Sequence, residues 1–445
     1  MARQSLQLPV IQNWSCHNCG GCCREHLIEI TDEEKRRIEK QGWSSDGGNS
    51  GDQPLILPLG RGRYRLAHQA DGACVFLNEQ GLCRIHAKFG EAAKPLACRV
   101  YPYAFHPAGT KALTVSLRFS CPSVVQNVGP PVSAQQAELQ ALAGEIVRGK
   151  QRDHDPPLIH RGGRHGSQQT TWADFHQFLG ALDAALADTT VDFVVRLMRV
   201  LSWLELVAES QFTTIRGDKL TEYLQLISDA AVTAQPDNDL PIHRPQRIAR
   251  VIFRLLAGQY ARHDTEADYR RGWGLRMELL AAALKLTTGR GTVPVLPGSA
   301  SVAVAFGSGS DGSAGSEQKP RAVRFAELER PFGGRQPEID ELFGRYFRVK
   351  LQGIHFCGPA YYDVSLVEGF QHLALMYPVV LWLARLRAAQ RNNDHLNLTD
   401  VQAALATADH NFGYSPALGT TSALNRVGLL FRMKQMTALV GWYSQ

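Results

Sequence analysis

The chain has 445 residues, 44% of them hydrophobic, with 48 Lys plus Arg against 42 Asp plus Glu and a net charge of +6. That length can bury at least one large core and suits two or three domains. The charge is too mild to argue for nucleic acid, and the longest apolar run, the 12 residues Leu373–Ala384, is too short to span a bilayer and reads as a buried helix kinked at Pro378.

Met1-Ala2-Arg3-Gln4 leads into no apolar signal segment, which points to a reducing, cytoplasmic compartment. Eight of the nine cysteines then fall between Cys16 and Cys121, four of them in the run Cys16-His17-Asn18-Cys19-Gly20-Gly21-Cys22-Cys23. A disulfide framework fits poorly: the count is odd and vicinal Cys22-Cys23 bridges badly. Thiolates two residues apart on a glycine-containing turn converge on a metal instead. The spacing Cys16-x-x-Cys19-x-x-Cys22 matches the three-cysteine run of bacterial ferredoxin-type clusters, whose fourth cysteine precedes proline, as Cys121 precedes Pro122. An iron–sulfur cluster is therefore favoured over zinc, although eight cysteines also divide into two four-thiolate zinc sites.

Ala73–Leu77 and Leu82–His86 flank Asn78-Glu79-Gln80-Gly81 and read as a hairpin that brings Cys74 and Cys83 together. Cys98 follows a short helical piece, and Leu113–Phe119 alternates like a strand delivering Cys121. The metal ligands expected are Cys16, Cys19, Cys22, Cys23, Cys74, Cys83, Cys98 and Cys121, which should converge, with Cys22 and Cys23 facing different ways. Sulfurs sharing one zinc stand about 3.8 Å apart, whereas those around a cubane stand on the order of 6 Å apart. Among His17, His26, His68, His86 and His106, His86 is the best-placed to support the ligands, in Cys83-x-x-His86, and Arg99 is expected to hydrogen-bond the anionic centre.

These residues resemble the CxxCxxCC cysteine-cluster family, also called YkgJ-like, described as zinc- or iron-chelating proteins. The resemblance rests on Cys16-x-x-Cys19-x-x-Cys22-Cys23, Cys74-x8-Cys83-Arg84-Ile85-His86 and Lys94–Pro102, and covers about residues 10 to 125. Length, a helical C-terminal part and Ala408-Asp409-His410-Asn411 are faintly similar to the flagellin lysine N-methylase branch. That similarity implies an iron–sulfur cluster, S-adenosylmethionine and a protein substrate.

Residues 1–130, with 15 Lys or Arg and 11 Asp or Glu, form the expected metal-binding module, ending at Gly129-Pro130-Pro131. Ser133 with Gln136 reads as a capping box opening a helix to about Gly149, and Thr171 with Asp174 as a second cap, ahead of the stripe Phe175, Phe178, Leu179, Leu182 and Leu186. His160–His165 reads as a solvated basic loop. Phe193, Leu197, Val200, Leu201 and Leu204 continue the pattern, and segments 218–234, 246–262 and 266–287 complete a helical domain over 131–297. Residues 298–320 have linker composition: Gly307-Ser308-Gly309-Ser310-Asp311-Gly312 satisfies GxGxxG, but no helix follows to present its N-terminus to a phosphate. The part from 321 to 445 is helical, with Leu366, Phe370, Leu373, Tyr377 and Leu381 on one face and Asn397 or Thr399 opening a later helix. Cys357 reads as a core thiol and His410 as a hydrogen-bonded structural histidine.

The class is thus α+β: a small cysteine-rich module with short strands, then an irregular helical bundle. Three functions remain open. One is a S-adenosylmethionine-dependent protein lysine N-methylase, through the resemblance alone, since the C-x3-C-x2-C run of radical enzymes is absent. The others are a non-catalytic chelator whose helices bind a partner, and an electron-transfer protein.

Overall fold

A computed structural model describes residues 5–43, 54–60, 62–69, 71–109, 112–147, 154–162, 166–235, 237–240, 242–262, 272–295 and 321–445. Most of the polar loop 44–54, the linker 298–320 and its glycine motif lie outside the described residues.

Six short strands form two sheets. In the first, β1 (Ser5–Gln7) runs parallel to β6 (Ala112–Leu117), which pairs antiparallel with β5 (Tyr103–Gly109). In the second, β4 (Arg63–Leu66) lies between β2 (Glu29–Ile30) and β3 (Ile56–Gly60), antiparallel to both. Helices α1 (Gly21–Glu25), α2 (Asp32–Glu39), α3 (Arg84–Phe89), α4 (Leu96–Val100) and α5 (Pro122–Val125) are threaded among the strands. The helical remainder comprises α6 (Gln136–Val147), α7 (Trp172–Ala187), α8 (Phe193–Ala208), α9 (Asp218–Ala234), α10 (Arg247–Ala261) and α11 (Trp273–Thr288). It continues with α12 (Phe325–Leu328), α13 (Pro337–Gln352), α14 (Leu366–Gln390), α15 (Leu398–Asn411), α16 (Thr421–Arg432) and α17 (Gln435–Ser444).

The two sheets serve different cores. Ile30, Ile38, Leu66, Val75, Phe76 and Ile85 bury a small core under the second sheet. Tyr103, Val115, Leu117 and Phe119 of the first sheet join the large core built by the helices. Helix α13 ends against β6 so closely that a Cβ on Gly353 would stand 2.4 Å from the Ser116 Cβ, and Thr114 Oγ1 donates to Gly353 O at 2.9 Å. The cysteine-bearing N-terminal region is therefore sutured to the helices along β6.

Helix α14 is the hub. Among the described residues it alone is long and apolar enough to cross a membrane, yet 94% of its apolar window is buried inside the fold. Its 25 residues extend well beyond the 12-residue apolar run, and Pro378 sits within them. Arg385 on this helix is fully buried, and its guanidinium donates to the main-chain oxygens of Leu328, Arg330, Tyr443 and Gln445, so the charge is solvated by main-chain oxygens.

Three local expectations are corrected. The hairpin is shorter than expected: Leu77 and Cys83 form one antiparallel bridge, flanked by Asn78 N donating to Leu82 O at 3.0 Å and Arg84 N to Phe76 O at 2.7 Å, and Arg84–Phe89 is helix, stopped at Gly90. The Asn78 side chain accepts the amides of Gln80 and Leu82 at 3.1 and 2.8 Å, closing the loop with a compact side-chain turn. Ser133 lies in a 3-10 turn, Val132–Gln135, and the α-helix starts at Gln136, because Pro131 already fixes the entry of the chain. His160 is packed rather than solvated, bridged to Gln168 and within 3.2 Å of Ser210 O. Thr171 and Asn397 do cap α7 and α15, accepting from Asp174 N and Asp400 N.

Candidate metal centre

The first cysteine run is held by the chain that follows Cys121. Trp14 N donates to Pro130 O at 3.0 Å, Ser15 N to Val128 O at 2.9 Å, and Asn13 N to Asn127 Oδ1 at 2.8 Å. Gly129, at φ +113°, makes this possible: a Cβ there would stand 2.5 Å from Ser15 N. His17 Nδ1 lies 3.0 Å from Ser123 Oγ, one turn into the helix that Cys121 opens. Asn18 and Gly20 take positive φ, turning the chain into α1, whose first turn carries Cys22 and Cys23. Their sulfurs are 4.0 Å apart, so the vicinal pair does not face opposite ways, as the sequence suggested.

A second set of elements aims the remaining thiols. Cys74 N donates to Cys23 O at 2.8 Å, tying the two residues directly, and Cys83 occupies the N-cap of α3. The position of Cys98 depends on Glu34. That carboxylate closes the capping box of α2 with Thr31 through one oxygen, and accepts Leu96 N at 2.7 Å through the other, thereby capping α4 as well. Arg99 is turned away from the cysteines: it makes a two-pronged ion pair with Glu145, both contacts 2.8 Å, which corrects its expected role beside the anionic centre. The two-oxygen fork of Glu145 matches guanidinium geometry better than a single sulfur does.

The thiols repel one another's ionisation in a pattern that maps their neighbourhoods. Burial pushes Cys74 up to about 12 and raises Cys98 further, and each is raised again by the Cys83 and Cys22 charges. Burial likewise pushes Cys121 up to about 12, with Cys19 adding to it; Cys19 is raised mainly by burial and also feels Cys22 and Cys16. Cys22 is raised most by its contact with Cys23. One neighbourhood thus contains Cys74, Cys83 and Cys98, the other Cys16, Cys19 and Cys121, and Cys22-Cys23 joins them.

Lys94 is the cation that residue-type reasoning missed. Its ammonium lowers Cys22 and Cys98, and it feels the charge of Cys83. Its place in Lys94-Pro95-Leu96-Ala97-Cys98 was the available signal. His86 does not support the thiols in the expected way: its ring is half exposed and points at Glu91, 3.8 Å away.

Beside the second neighbourhood lies a group of different chemistry. Glu25, His26 and His410 place one ligand atom each within 4.8 Å of one another, and all three are half-buried. Burial pushes the Glu25 carboxyl up to about 7, against the opposing pull of Arg118. His410 lies at this half-buried seam, its ring stacked on His26 at 5.0 Å with an interplanar angle of 1°. Cys357 is a core thiol as expected, fully buried and pushed up by that burial.

All nine cysteines are free of disulfides, and Cys19, Cys22, Cys74, Cys98 and Cys121 resist ionisation unless a cation joins them. That donor set fits a thiophilic metal, because a bound cation stabilises several adjacent thiolates at once. No curated protein and no solved structure matches the chain. Residues 15–122 do match a family model, CxxCxxCC, described as "Putative zinc- or iron-chelating domain", and the eight clustered cysteines all lie within that match, so this part of the chain is similar to a cysteine-rich metal-chelating domain.

Proposed function

We propose that this protein is an iron–sulfur metalloprotein whose eight N-terminal cysteines form two adjacent thiolate centres. Cys16, Cys19 and Cys121, with Cys22, hold the iron–sulfur cluster; Cys74, Cys83 and Cys98, with Cys23, form a four-thiolate site suited to zinc or iron. The observation that carries the reading is the division of the thiols into two neighbourhoods, Cys16, Cys19 and Cys121 beside Cys74, Cys83 and Cys98, that meet at the Cys22-Cys23 pair, whose sulfurs are 4.0 Å apart. The Cys16-x-x-Cys19-x-x-Cys22 spacing with a remote Cys121-Pro122 supports the cluster over zinc in the first of them. Lys94 offsets part of the negative charge in the second, where a divalent zinc with four thiolates carries about −2. Free thiols throughout suit a reducing, cytoplasmic setting.

The test is anaerobic purification followed by iron, acid-labile sulfide and zinc determination with a visible spectrum. Brown protein with matched iron and sulfide is expected. Colourless protein with stoichiometric zinc and no sulfide refutes the cluster and leaves a zinc-chelating domain. Lysine N-methylation is a separate claim, resting on the faint methylase similarity, and is tested by labelled methyl transfer from S-adenosylmethionine to a protein lysine.

A further inference from the structure

Helix α1 carries Cys22 and Cys23 in its first turn and ends at Glu25, with His26 immediately after; α15, near the other end of the chain, places His410 in its last turn. The fold thus brings one carboxylate and two imidazoles together where the cysteine-rich domain meets the helical region. Their ligand atoms lie within 4.8 Å of one another, and none of the three donors is a thiolate. A cation bound at about 2.1 Å holds its ligands about 3.0 to 3.5 Å apart, so side-chain rotation of half-buried groups closes the difference.

We propose that Glu25, His26 and His410 form a metal site of their own, distinct from the thiolate centres, that takes a first-row divalent cation such as Fe2+ or Mn2+. Two histidines and one carboxylate on one side of an ion leave positions open for solvent or substrate oxygen, and nitrogen and oxygen donors select against the soft metals that thiolates prefer. The half-burial of all three residues gives an ion access from solvent.

The surroundings hold the donors in place. The His26 ring packs on Tyr101 at 4.8 Å as well as on His410. The end of α15 is fixed on both sides of His410: Asp409 is ion-paired with Lys350 at 2.7 Å, and Asn411 Nδ2 donates to Tyr260 O at 2.9 Å and Arg262 O at 2.7 Å. Arg118 donates to His410 O at 3.3 Å and lies over the Tyr414 ring at 3.9 Å.

Mn2+ is the probe, because it favours oxygen and nitrogen over sulfur. Purified protein with its thiolate-bound metal in place is dialysed against citrate to remove weakly held ions, then titrated with Mn2+ while the free ion is followed by electron paramagnetic resonance. One saturable Mn2+ per chain is expected. Glu25→Gln and His410→Gln, which lie on separate segments, should each weaken it at least about tenfold, with far-UV circular dichroism and the iron, zinc and sulfide content unchanged. Absence of saturable binding in the wild-type protein overturns the proposal, as does unaltered Mn2+ affinity in both variants. Loss of thiolate-bound metal together with Mn2+ also overturns it, by assigning these residues to the thiolate centre. An iron- or sulfide-free preparation bears on the thiolate reading alone, since the Mn2+ titration is read independently.

Discussion

Lys350 on α13 and Asp409 on α15 join the two helices through an ion pair 2.7 Å long in which both side chains are fully buried. Removing one partner should cost about 3 to 5 kcal/mol, because the other charge is stranded away from water. The two halves are not equivalent. Lys350→Met leaves Asp409 with the Tyr346 hydroxyl and Ser120 N–H, each 3.2 Å away, and so belongs near the low end of that range. Asp409→Leu leaves the ammonium with only Leu117 O and His355 Nδ1 as neutral acceptors and orphans both former donors, so it belongs near the high end. The double variant Lys350→Met/Asp409→Leu removes both charges and should be more stable than Asp409→Leu alone. Burial already holds Lys350 below its ordinary value, so raising the pH toward 9 should recover part of the Asp409→Leu loss by letting the lysine fold neutral. Urea unfolding of the four proteins at pH 7, with Asp409→Leu repeated at pH 9, measures all of this. Additive effects, with the double variant as unstable as the two single losses combined, refute the reasoning.

Cys19→Ser and Cys83→Ser, one from each neighbourhood, should each lower metal content and expose the N-terminal domain to limited proteolysis while sparing the helical region, because binding free energy at thiolate sites is also folding free energy; wild-type metal content and protease resistance in both would contradict this. Acid sensitivity should come in part from buried imidazoles. Burial holds His372 down to about 3 and His355 well below its ordinary value. The unfolded chain therefore takes up protons first, at a pKa of about 6.5, so stability from these rings is complete above that pH, falls as pH drops below it and levels off near the folded value. By pH 4.5 the stability lost through His372 amounts to about 2.7 kcal/mol. His372→Phe should flatten the acid limb of a stability–pH profile, and a limb unchanged from wild type would show that His372 does not titrate between the two states.

The cysteine spacing by itself determined that residues near the N-terminus bind metal, because ligand chemistry is carried by residue type and by separations short enough for one turn to close. Periodicity likewise located α7 and α8, and side-chain caps located the starts of α7 and α15, since those signals depend only on neighbours in sequence. Tertiary structure decided the rest. Arg99 belongs to Glu145 because α6 passes beside α4. The segment after Cys83 is helix rather than strand, with Cys83 at its N-cap, so the pairing begun at Leu77 ends after one bridge. Above all, the meeting of Glu25, His26 and His410 requires α15 to dock on the cysteine-rich domain. No local pattern encodes that approach, because it is set by the shared packing of β6, α13 and α15 around a buried ion pair.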